Sequence, residues 1–477
     1  MNVSAITQIP ETTEDDLHRL FQLQYRASRD EPTASYQQRI DRLDRLRKMI
    51  TENDAAIVDA IRADFGNRSE HETRLFEIVT VLNSLRHTRK HLKAWMRDTR
   101  RPVDMAFKPA TARIRHEPLG VIGIIAPWNF PMQTALTPLV DALAAGNRAM
   151  IKPSEFTPRF SELLKTLVAK HFDEAELTVV TGGVEVAQTF GTLPFDHLVF
   201  TGSTAVGRKV MEAASKNLTP VTLELGGKSP VIVAEDYDLA KAAQSVAFGK
   251  YSNSGQICVA PDYALVPRAR VQEFAEAVIA QANKSFPTIA DNPDYTSMIS
   301  DRHRQRLVDA IEEARAAGAT VLTHNDHDVA RTGKIAPTVV IGAPADGVLM
   351  TQEIFGPVLL VKPYDTLDDA LAYIRDRDRP LAMYLFTNDK ATESRILDGA
   401  ISGGVTINGT ILHVGQDTLP FGGVGPSGMG AYHGIDGFRR LSHARSVHKI
   451  GFINGFEKMG PPWGGLATTA AKFLIKR

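Results

Sequence analysis

This chain of 477 residues contains little cysteine and carries no formal net charge. It contains one cysteine, so no intrachain disulfide can form, which is typical of proteins from a reducing compartment. Lys and Arg together number 55, as do Asp and Glu, so no bulk charge attracts the protein to nucleic acid or anionic lipid. We therefore expect no nucleic-acid partner.

Membrane-directed segments are lacking as well. Residues 1–16 have no basic stretch followed by an apolar one, so they do not resemble a signal peptide. The most apolar early run, 121–128, is far shorter than the ~20 residues that span a bilayer. We expect a cytoplasmic protein without a membrane span.

Length and hydrophobic spacing predict several domains with a helical beginning. Single cores stop growing near ~250–300 residues, and this chain is longer. Leu17, Leu20 and Phe21 recur at the spacing of one helix face. The charges of residues 39–48 have mixed signs, which indicates a solvated helix face rather than a nucleic-acid patch.

Past residue 118, short apolar runs alternate with amphipathic stretches, and this alternation predicts βαβ units with a parallel sheet. The predicted strands are GVIGIIAP (120–127), RAMIKP (148–153), LTVVTG (177–182), HLVFTG (197–202) and PVTLELGG (220–227), with helices at 133–145 and from about 159. A second α/β series runs from about 229 to 420 and includes a long helix around 302–317. Residues 96–117 suit a projecting hairpin, and those after 451 a loosely packed terminus.

The most informative chemical signal is Cys258, which follows a glycine-containing turn. In that setting a thiolate can face a cleft and attack a carbonyl, although a lone cysteine is more often a small buried hydrophobe. Upstream, Glu224 ends an otherwise apolar strand, where desolvation raises a carboxyl pKa and suits the group to general-base work. Asn129 follows the first strand of the series, where open α/β sheets place ligands and an amide can donate to an oxyanion.

Seven motifs in order resemble the aldehyde dehydrogenase superfamily over nearly the whole chain. They are PWNFP (127–131), IKPSE (151–155), FTGST (200–204), LELGGK (223–228), GQIC (255–258), QEIFGP (352–357) and PFGGVGPSGMG (420–430). The resemblance implies an α/β fold in three parts. These are a Rossmann-like parallel-sheet NAD-binding domain (1–95 and 118–224), an α/β catalytic domain (225–429) and a bridging, oligomerising element (96–117 and 430–450), followed by a C-terminal tail (451–477).

The resemblance also implies catalytic roles for the matching residues. Cys258 is the nucleophile that attacks the aldehyde, and loss of hydride from the thiohemiacetal leaves a thioester. Asn129 matches the side-chain donor to the oxyanion, and Glu224 matches the general base that activates the hydrolytic water. Glu353, in QEIFGP, matches the carboxylate that binds the nicotinamide ribose.

The cofactor motif departs from the usual dinucleotide fingerprint. From Gly202 to Gly207 the sequence places Thr204 where G-x-G-x-x-G has its middle glycine, and this removes the close backbone approach to a pyrophosphate. The resemblance implies an atypical mode with Ser203 near the pyrophosphate.

The adenosine end of the expected cofactor site falls on IKPSE. Lys152 and Glu155 match residues that hold the ribose hydroxyls, and Trp128 belongs to the same predicted cofactor site. A carboxylate at that ribose repels a 2′-phosphate, so we expect NAD, with NADP tolerated to some degree.

Finer similarities concern the branch of the family. The short N-terminal lead resembles the class 3 and fatty aldehyde branch, which implies a homodimer. Pro138 stands where many relatives carry a lysine, which puts in doubt a proton relay through that lysine. Segments 255–267, 413–434 and 437–447 are similar to bacterial coniferyl aldehyde dehydrogenases, which implies oxidation of an aromatic enal to its acid.

Other functions remain open on the sequence. A medium- or long-chain fatty aldehyde is the alternative substrate, since an apolar tunnel suits both classes. An acylating relative would pass the acyl group to coenzyme A, and Glu224 argues against it. A binding module without catalytic activity would lack Cys258, Asn129 or Glu224, and all three are present. The residues expected to line such a tunnel, if they are not ordinary packing, are Phe130, Ile411, Leu412 and Phe421.

Overall fold

Three β-sheets organise the chain in the computed structural model, which describes residues 11–329 and 332–476. The first has six strands in the spatial order Gly428–Met429, Val221–Glu224, His197–Thr201, Val121–Ile125, Arg148–Lys152 and Leu177–Val179. The second has seven, in the order Thr320–Thr323, Thr338–Ile341, Val358–Tyr364, Pro261–Pro267, Ser229–Val233, Ala382–Phe386 and Gly404–Ile407. Each sheet is parallel except for its first pair of strands, so the predicted α/β class with parallel sheets is confirmed.

Helices cover both parallel sheets. Those before or within the first sheet are Glu14–Asp30, Tyr36–Thr51, Asp54–Phe65, Glu70–Glu72, the π-helix Thr73–Ile78, Val79–Trp95, Gln133–Ala145, Pro158–His171, Val184–Thr192 and Thr204–Ser215. Those of the second sheet are Leu239–Tyr251, Val271–Ser285, Asp301–Ala316, Val348–Thr351, Leu367–Arg375 and Lys390–Gly399, and Gly434–Arg440, Gly455–Met459 and Gly465–Ile475 follow. Single 3₁₀ turns lie at Met105–Phe107, Ser252–Gly255, Arg268–Arg270 and Leu412–Gly415.

The strand order of the first sheet determines where a ligand can bind. Numbered along the chain from Val121–Ile125, its five parallel strands lie in the order 3-2-1-4-5, as in a dinucleotide-binding sheet. The chain therefore leaves strands 1 and 4, which are neighbours, toward opposite sides. In open α/β sheets the crevice at this switch point binds ligands beyond the carboxyl ends of the strands.

The hydrophobic core explains why the N-terminal helices pack where they do. Leu43, Leu46 and Ile61 are fully buried in one cluster with Ile124 of the first sheet and Leu139 of a covering helix. The predicted face of the first helix, with Leu17 and Phe21, is buried in a second cluster on the opposite face of that sheet. The second sheet has separate clusters on its two faces.

The prediction of a solvated face for residues 39–48 is wrong at two arginines. The Arg39 and Arg42 side chains are almost completely buried. Arg39 donates to the Ala144 carbonyl at the end of a neighbouring helix (2.9 Å), and Arg42 forms an ion pair with Glu176 (3.0 Å). A guanidinium satisfies the unpaired carbonyls at a helix C-terminus, which a pattern of mixed charge does not reveal.

The third sheet is antiparallel and projects from the rest of the chain. Thr99–Arg101 pairs with Thr111–Pro118, which confirms the hairpin expected in 96–117, and Ser442–Lys449 adds a third strand. Among the described residues after 450, none is buried, although they contain two helices that the sequence did not suggest. Within the described part of the chain, no helix is both long and apolar enough to cross a membrane.

Candidate active site

A cavity of about 700 Å³ opens beside the switch point of the first sheet and reaches to the second sheet. Seven of the ten sequence-predicted site residues line it: Trp128, Asn129, Gly202, Ser203, Glu224, Cys258 and Glu353. Lys152, Glu155 and Gly207 lie outside its wall. The tertiary structure thus brings residues from five separate motifs to one cavity.

Asn129 is held in the loop that joins the first parallel strand to helix Gln133–Ala145. Its side chain is buried, and its Nδ2 donates to the Gln256 carbonyl at 3.1 Å. Its own carbonyl accepts hydrogen bonds from Arg68 Nη1 (2.8 Å) and Asn253 Nδ2 (3.1 Å). The amide keeps a second N–H available for an acceptor in the cavity.

Cys258 follows a tight turn at the end of helix Leu239–Tyr251. Asn253, Ser254 and Gly255 have φ values of 48°, 50° and 70°, all in the left-handed region. A Cβ at position 255 would collide with the Gly356 carbonyl, so glycine permits the contact between this turn and the QEIFGP loop. The thiol is partly exposed at the cavity wall.

The surroundings of Cys258 disfavour its thiolate. Burial raises the pKa of the Cys258 thiol to about 12, and the nearby Glu353 and Glu224 carboxylates add to the increase. The thiol is therefore neutral at physiological pH, because the protein around it solvates a negative sulfur poorly.

Glu224 lies at the end of strand Val221–Glu224 and is buried. Neither carboxylate oxygen has a hydrogen-bond partner among the described residues. Burial raises the pKa of Glu224 well above its ordinary value, as the sequence predicted for a carboxyl group ending an apolar strand. In its ionised form such a group is a stronger base than an ordinary carboxylate and can accept a proton from a water molecule beside it.

Glu353 approaches the backbone of the double-glycine turn after Glu224. A Cβ at Gly226 would collide with the Glu353 carboxylate, so this glycine allows the carboxylate to enter the cavity wall. Burial raises the pKa of Glu353 to about 8, opposed by Lys228 and Lys250. The backbone carbonyl of Glu353 accepts from Arg306, and that of Gln352 accepts from Lys228, so both cations hold this loop in place.

The expected cofactor residues fall into two groups. Ser203 caps helix Thr204–Ser215 at the cavity, where the free N–H groups of a helix start favour an anionic ligand. A Cβ at Gly207 would approach Leu225 to 2.6 Å, so this glycine serves helix–strand packing rather than ligand contact. Lys152 and Glu155 form the second group, at the end of the neighbouring strand Arg148–Lys152. Lys152 is buried and pairs with the exposed Glu155 at 3.0 Å.

The remaining wall of the cavity is mostly apolar. The four residues expected to line a tunnel, Phe130, Ile411, Leu412 and Phe421, all contribute to its wall. The wall residues that the sequence did not single out include Phe76, Thr80, Gln133, Thr134, His303, Arg306, Val414 and Tyr432. They lie on helices and loops whose apolar spacing is that of ordinary packing, so no local signal distinguishes them.

A metal centre has no support in residues 11–329 and 332–476, which contain no group of three or more His, Cys, Asp or Glu side chains placed to hold an ion. The reactive side chains that converge on the cavity are instead a thiol, two carboxyl groups and an amide. This set suits covalent attack on a carbonyl followed by proton transfer.

Comparison with known proteins identifies the class to which this fold and site belong. The family model described as "Aldehyde dehydrogenase family" matches residues 1–447. The chain belongs to the aldehyde dehydrogenase family, and it is accordingly an enzyme of aldehyde oxidation.

Individual members of the family are similar to this chain over most of their length. The chain is 47% identical over 450 residues to a "Probable coniferyl aldehyde dehydrogenase" of Pseudomonas aeruginosa, covering 94% of each chain. It is 47% identical over 426 residues to "Coniferyl aldehyde dehydrogenase" of Pseudomonas sp., covering 88% of each. A rat relative named "Aldehyde dehydrogenase, dimeric NADP-preferring" is 40% identical over 423 residues, covering 88% of this chain and 92% of the relative.

Solved structures have the same fold. The substrate-bound state of Staphylococcus aureus AldH matches with a TM-score of 0.90 and 36% identity, covering 96% of this chain and 99% of that one. A Mycobacterium tuberculosis aldehyde dehydrogenase complexed with NAD⁺ matches with a TM-score of 0.83 and 28% identity, covering 94% and 92%.

Proposed function

We propose that this enzyme oxidises an aldehyde to a carboxylic acid with NAD, through a thiohemiacetal and a thioester on Cys258. The observation that carries the proposal is the convergence of Cys258, Glu224 and Asn129 on one cavity, where neither oxygen of the Glu224 carboxylate has a hydrogen bond from the described part of the chain. A buried carboxyl group without a partner is costly unless it has a task in the reaction.

Each residue has a definite task in this sequence of steps. After its proton passes to the solvent, the Cys258 sulfur forms a bond to the aldehyde carbon, and the carbonyl oxygen becomes an oxyanion that accepts from Asn129 Nδ2 and the Cys258 backbone N–H. When bound, NAD supplies the acceptor for the hydride that leaves this carbon. Glu224 then takes a proton from water as the water attacks the thioester, and the carbon–sulfur bond breaks to release the acid.

The residues of the expected cofactor site fit a dinucleotide. Glu353 enters the same cavity as Cys258, where a carboxylate can accept from ribose hydroxyls. In this proposal Ser203, at the start of a twelve-residue helix, binds the pyrophosphate, and the paired Lys152 and Glu155 hold the second ribose. Trp128, which packs against His303 and Phe355, forms part of the cavity wall. NAD is preferred over NADP in this proposal because Glu155 repels a 2′-phosphate, in contrast to what the rat relative's name states for that protein.

We propose coniferyl aldehyde as the substrate, with ferulate as the product. The names of the two Pseudomonas relatives support this choice, as do the aromatic rings of Phe76, Phe130 and Phe421 in the cavity wall. The mainly apolar wall at Ile411 and Leu412 favours a medium- or long-chain fatty aldehyde as the second candidate. Transfer of the acyl group to coenzyme A is disfavoured, because it leaves Glu224 without a function.

The division into domains and the homodimer stay part of the proposal. The strands of the first sheet up to Glu224 fall within the proposed NAD-binding domain (1–95 and 118–224), and the second sheet falls within the catalytic domain (225–429). The short strand Gly428–Met429, at the end of the latter range, pairs back onto the first sheet. The exposed strand Ser442–Lys449, at the edge of the bridging sheet, leaves backbone groups that a second copy can pair with. A cytoplasmic location stays a prediction.

The proposal is tested by following NADH formation with coniferyl aldehyde, hexanal and decanal, for the wild-type enzyme and for Cys258→Ala. We expect the highest kcat/KM with coniferyl aldehyde and a loss of at least about 10³-fold in kcat for the variant, since the covalent route is removed. Faster turnover of decanal would replace the aromatic substrate by the fatty one and leave the mechanism intact. Full activity of Cys258→Ala would show the covalent mechanism to be wrong.

A further inference from the structure

An irregular helix lies directly behind the active-site loops. The π-helix Thr73–Ile78 separates the short helix Glu70–Glu72 from Val79–Trp95. In an α-helix, Glu72 and Glu77 would point about 140° apart, because each turn has about 3.6 residues. A π-helix bonds each residue to the fifth along the chain, so both carboxylates fall on nearly the same face, and Arg68 interacts with both.

Glu77 acts on the loop that carries Asn129. Its Oε2 accepts from the backbone N–H groups of Met132 (2.7 Å) and Gln133 (3.2 Å), at the start of the helix after that loop. Its Oε1 lies 3.1 Å from Arg68 Nη2, and both side chains are completely buried. Arg68 Nη1 in turn donates to the Asn129 carbonyl at 2.8 Å. The Arg68–Glu77 ion pair therefore holds the Asn129 loop at both ends.

Glu72 acts on the turn that leads to Cys258. Its Oε1 accepts from the Asn253 backbone N–H at 2.8 Å, and its Oε2 accepts from Thr296 Oγ1 at 2.7 Å. Ser254 donates to the carbonyl of the same Thr296. Because Asn253 and Ser254 are both non-glycine residues with positive φ, their conformation persists only where the surroundings enforce it.

The two carboxylates are linked through one shared atom. This atom is the Asn129 carbonyl oxygen, which accepts from both Asn253 Nδ2 and Arg68 Nη1. Asn253 Nδ2 also donates to the Gln256 carbonyl at 3.2 Å. Asn129 Nδ2 donates to that same Gln256 carbonyl. A displacement of either carboxylate therefore changes the position of the Asn129 amide relative to Cys258.

We propose that Glu72 and Glu77 are positioning residues, which the π-helix presents together so that the Asn129 loop and the Cys258 turn are set in register for the reaction. The proposal rests on the function proposed above, since it takes Asn129 and Cys258 as the reacting site. Glu77 acts on the oxyanion donor and Glu72 on the cysteine turn. Neither carboxylate lines the cavity.

Three carboxylate-to-amide changes in one short segment test this proposal: Glu77→Gln, Glu72→Gln and, as the matched control, Glu70→Gln. Glu70 is exposed and pairs only with Arg74 among the described residues. The measurements are kcat and KM for the aldehyde and for NAD, at a temperature where circular dichroism shows every variant folded. The rate of alkylation by iodoacetamide is measured as well, because Cys258 is the only thiol in the chain.

We expect Glu77→Gln to lower kcat about 10- to 100-fold with KM for NAD unchanged, because a donor moved by about 1 Å loses transition-state stabilisation. Its alkylation rate stays within about twofold of wild type, since alkylation forms no oxyanion. Glu72→Gln changes the alkylation rate by about threefold or more and also lowers kcat. Glu70→Gln behaves as wild type. A purely structural role would lower the melting temperature while leaving kcat of the folded variants unchanged.

A folded Glu77→Gln with the kcat of Glu70→Gln overturns the proposal. Should Glu77→Gln not fold, Glu72→Gln decides in its place, because that side chain is only partly buried. Failure of the proposed function would instead appear in the wild type, as absent aldehyde oxidation or as full activity of Cys258→Ala. The alkylation arm does not depend on turnover, so an unchanged rate in Glu72→Gln still overturns the positioning role.

Discussion

Cys258 is placed among groups that keep its thiol protonated. Burial has the largest effect on the Cys258 pKa, followed by the charges of Glu353 and Glu224. The residue proposed as the nucleophile thus lies beside acidic groups, to which the proposed mechanism gives the roles of base for water and acceptor for ribose hydroxyls. The consequence is an alkaline dependence of thiol reactivity in the cofactor-free enzyme.

Replacing Glu353 by Gln tests the electrostatic part of this dependence. The pKa of Glu353 is about 8, so its carboxyl group is neutral below that pH and charged above it. Removing the charge lowers the pKa of Cys258 from about 12. In the cofactor-free enzyme, alkylation of Glu353→Gln by iodoacetamide should therefore outpace that of wild type above pH 8 and match it below. Parallel profiles for wild type, Glu353→Gln and the exposed control Glu70→Gln would contradict this account.

At the scale of elements, helix Gln133–Ala145 depends on partners at both of its ends. The Glu77 carboxylate accepts from the N–H groups at its start, and Arg39 donates to the Ala144 carbonyl near its end. Gly146 then turns the chain with a φ of 92°. The helix contains Pro138 and is buried along its whole length, so tertiary partners rather than intrinsic propensity stabilise it.

Gly146→Ala should destabilise the protein more than Gly66→Ala. Both glycines end helices at positive φ, 92° and 74°, so both alanine variants carry backbone strain of about 1–2 kcal/mol. At position 146 the new Cβ also approaches the Arg39 guanidinium to 2.8 Å, whereas position 66 has nothing within 4 Å. We expect Gly146→Ala to cost at least about 1 kcal/mol more, measured as the free energy of unfolding in urea. Equal losses would mean that the Arg39 contact contributes nothing.

At the scale of the whole molecule, the two parallel sheets meet at one cavity, so a ligand that fills it stabilises both. A cofactor present at about 100 times its Kd stabilises the folded state by about 2.7 kcal/mol. The melting temperature should therefore report cofactor preference without any turnover.

NAD should raise the melting temperature more than NADP at equal concentration, because Glu155 repels the 2′-phosphate. Glu155→Gln should narrow this difference by favouring NADP, while the exposed control Glu70→Gln should leave it as in wild type. Differential scanning fluorimetry of the three proteins measures both effects. An equal or larger shift with NADP in wild type would show the NAD preference to be wrong and place this chain with its NADP-preferring rat relative.

Local sequence determined most of the elements of this protein. Short apolar runs predicted the strands because a strand buried on both faces is a continuous apolar segment. Glycine ended the predicted helix 133–145, because the left-handed turn after a helix favours it. The residues of the candidate site could be named from motifs because the chemistry of a thiol, a carboxyl group and an amide depends on side-chain type.

Only the tertiary structure decided which distant residues support that site. Glu77 and Arg68 lie more than 50 residues before the backbone groups they bind, and Glu72 lies 181 residues before Asn253. Arg39 and Arg42 are buried for the same reason, since their partners, a helix-end carbonyl and the Glu176 carboxylate, lie far along the chain. A residue's partners across such distances depend on how sheets and helices pack together. Neither spacing nor composition within one segment records that packing.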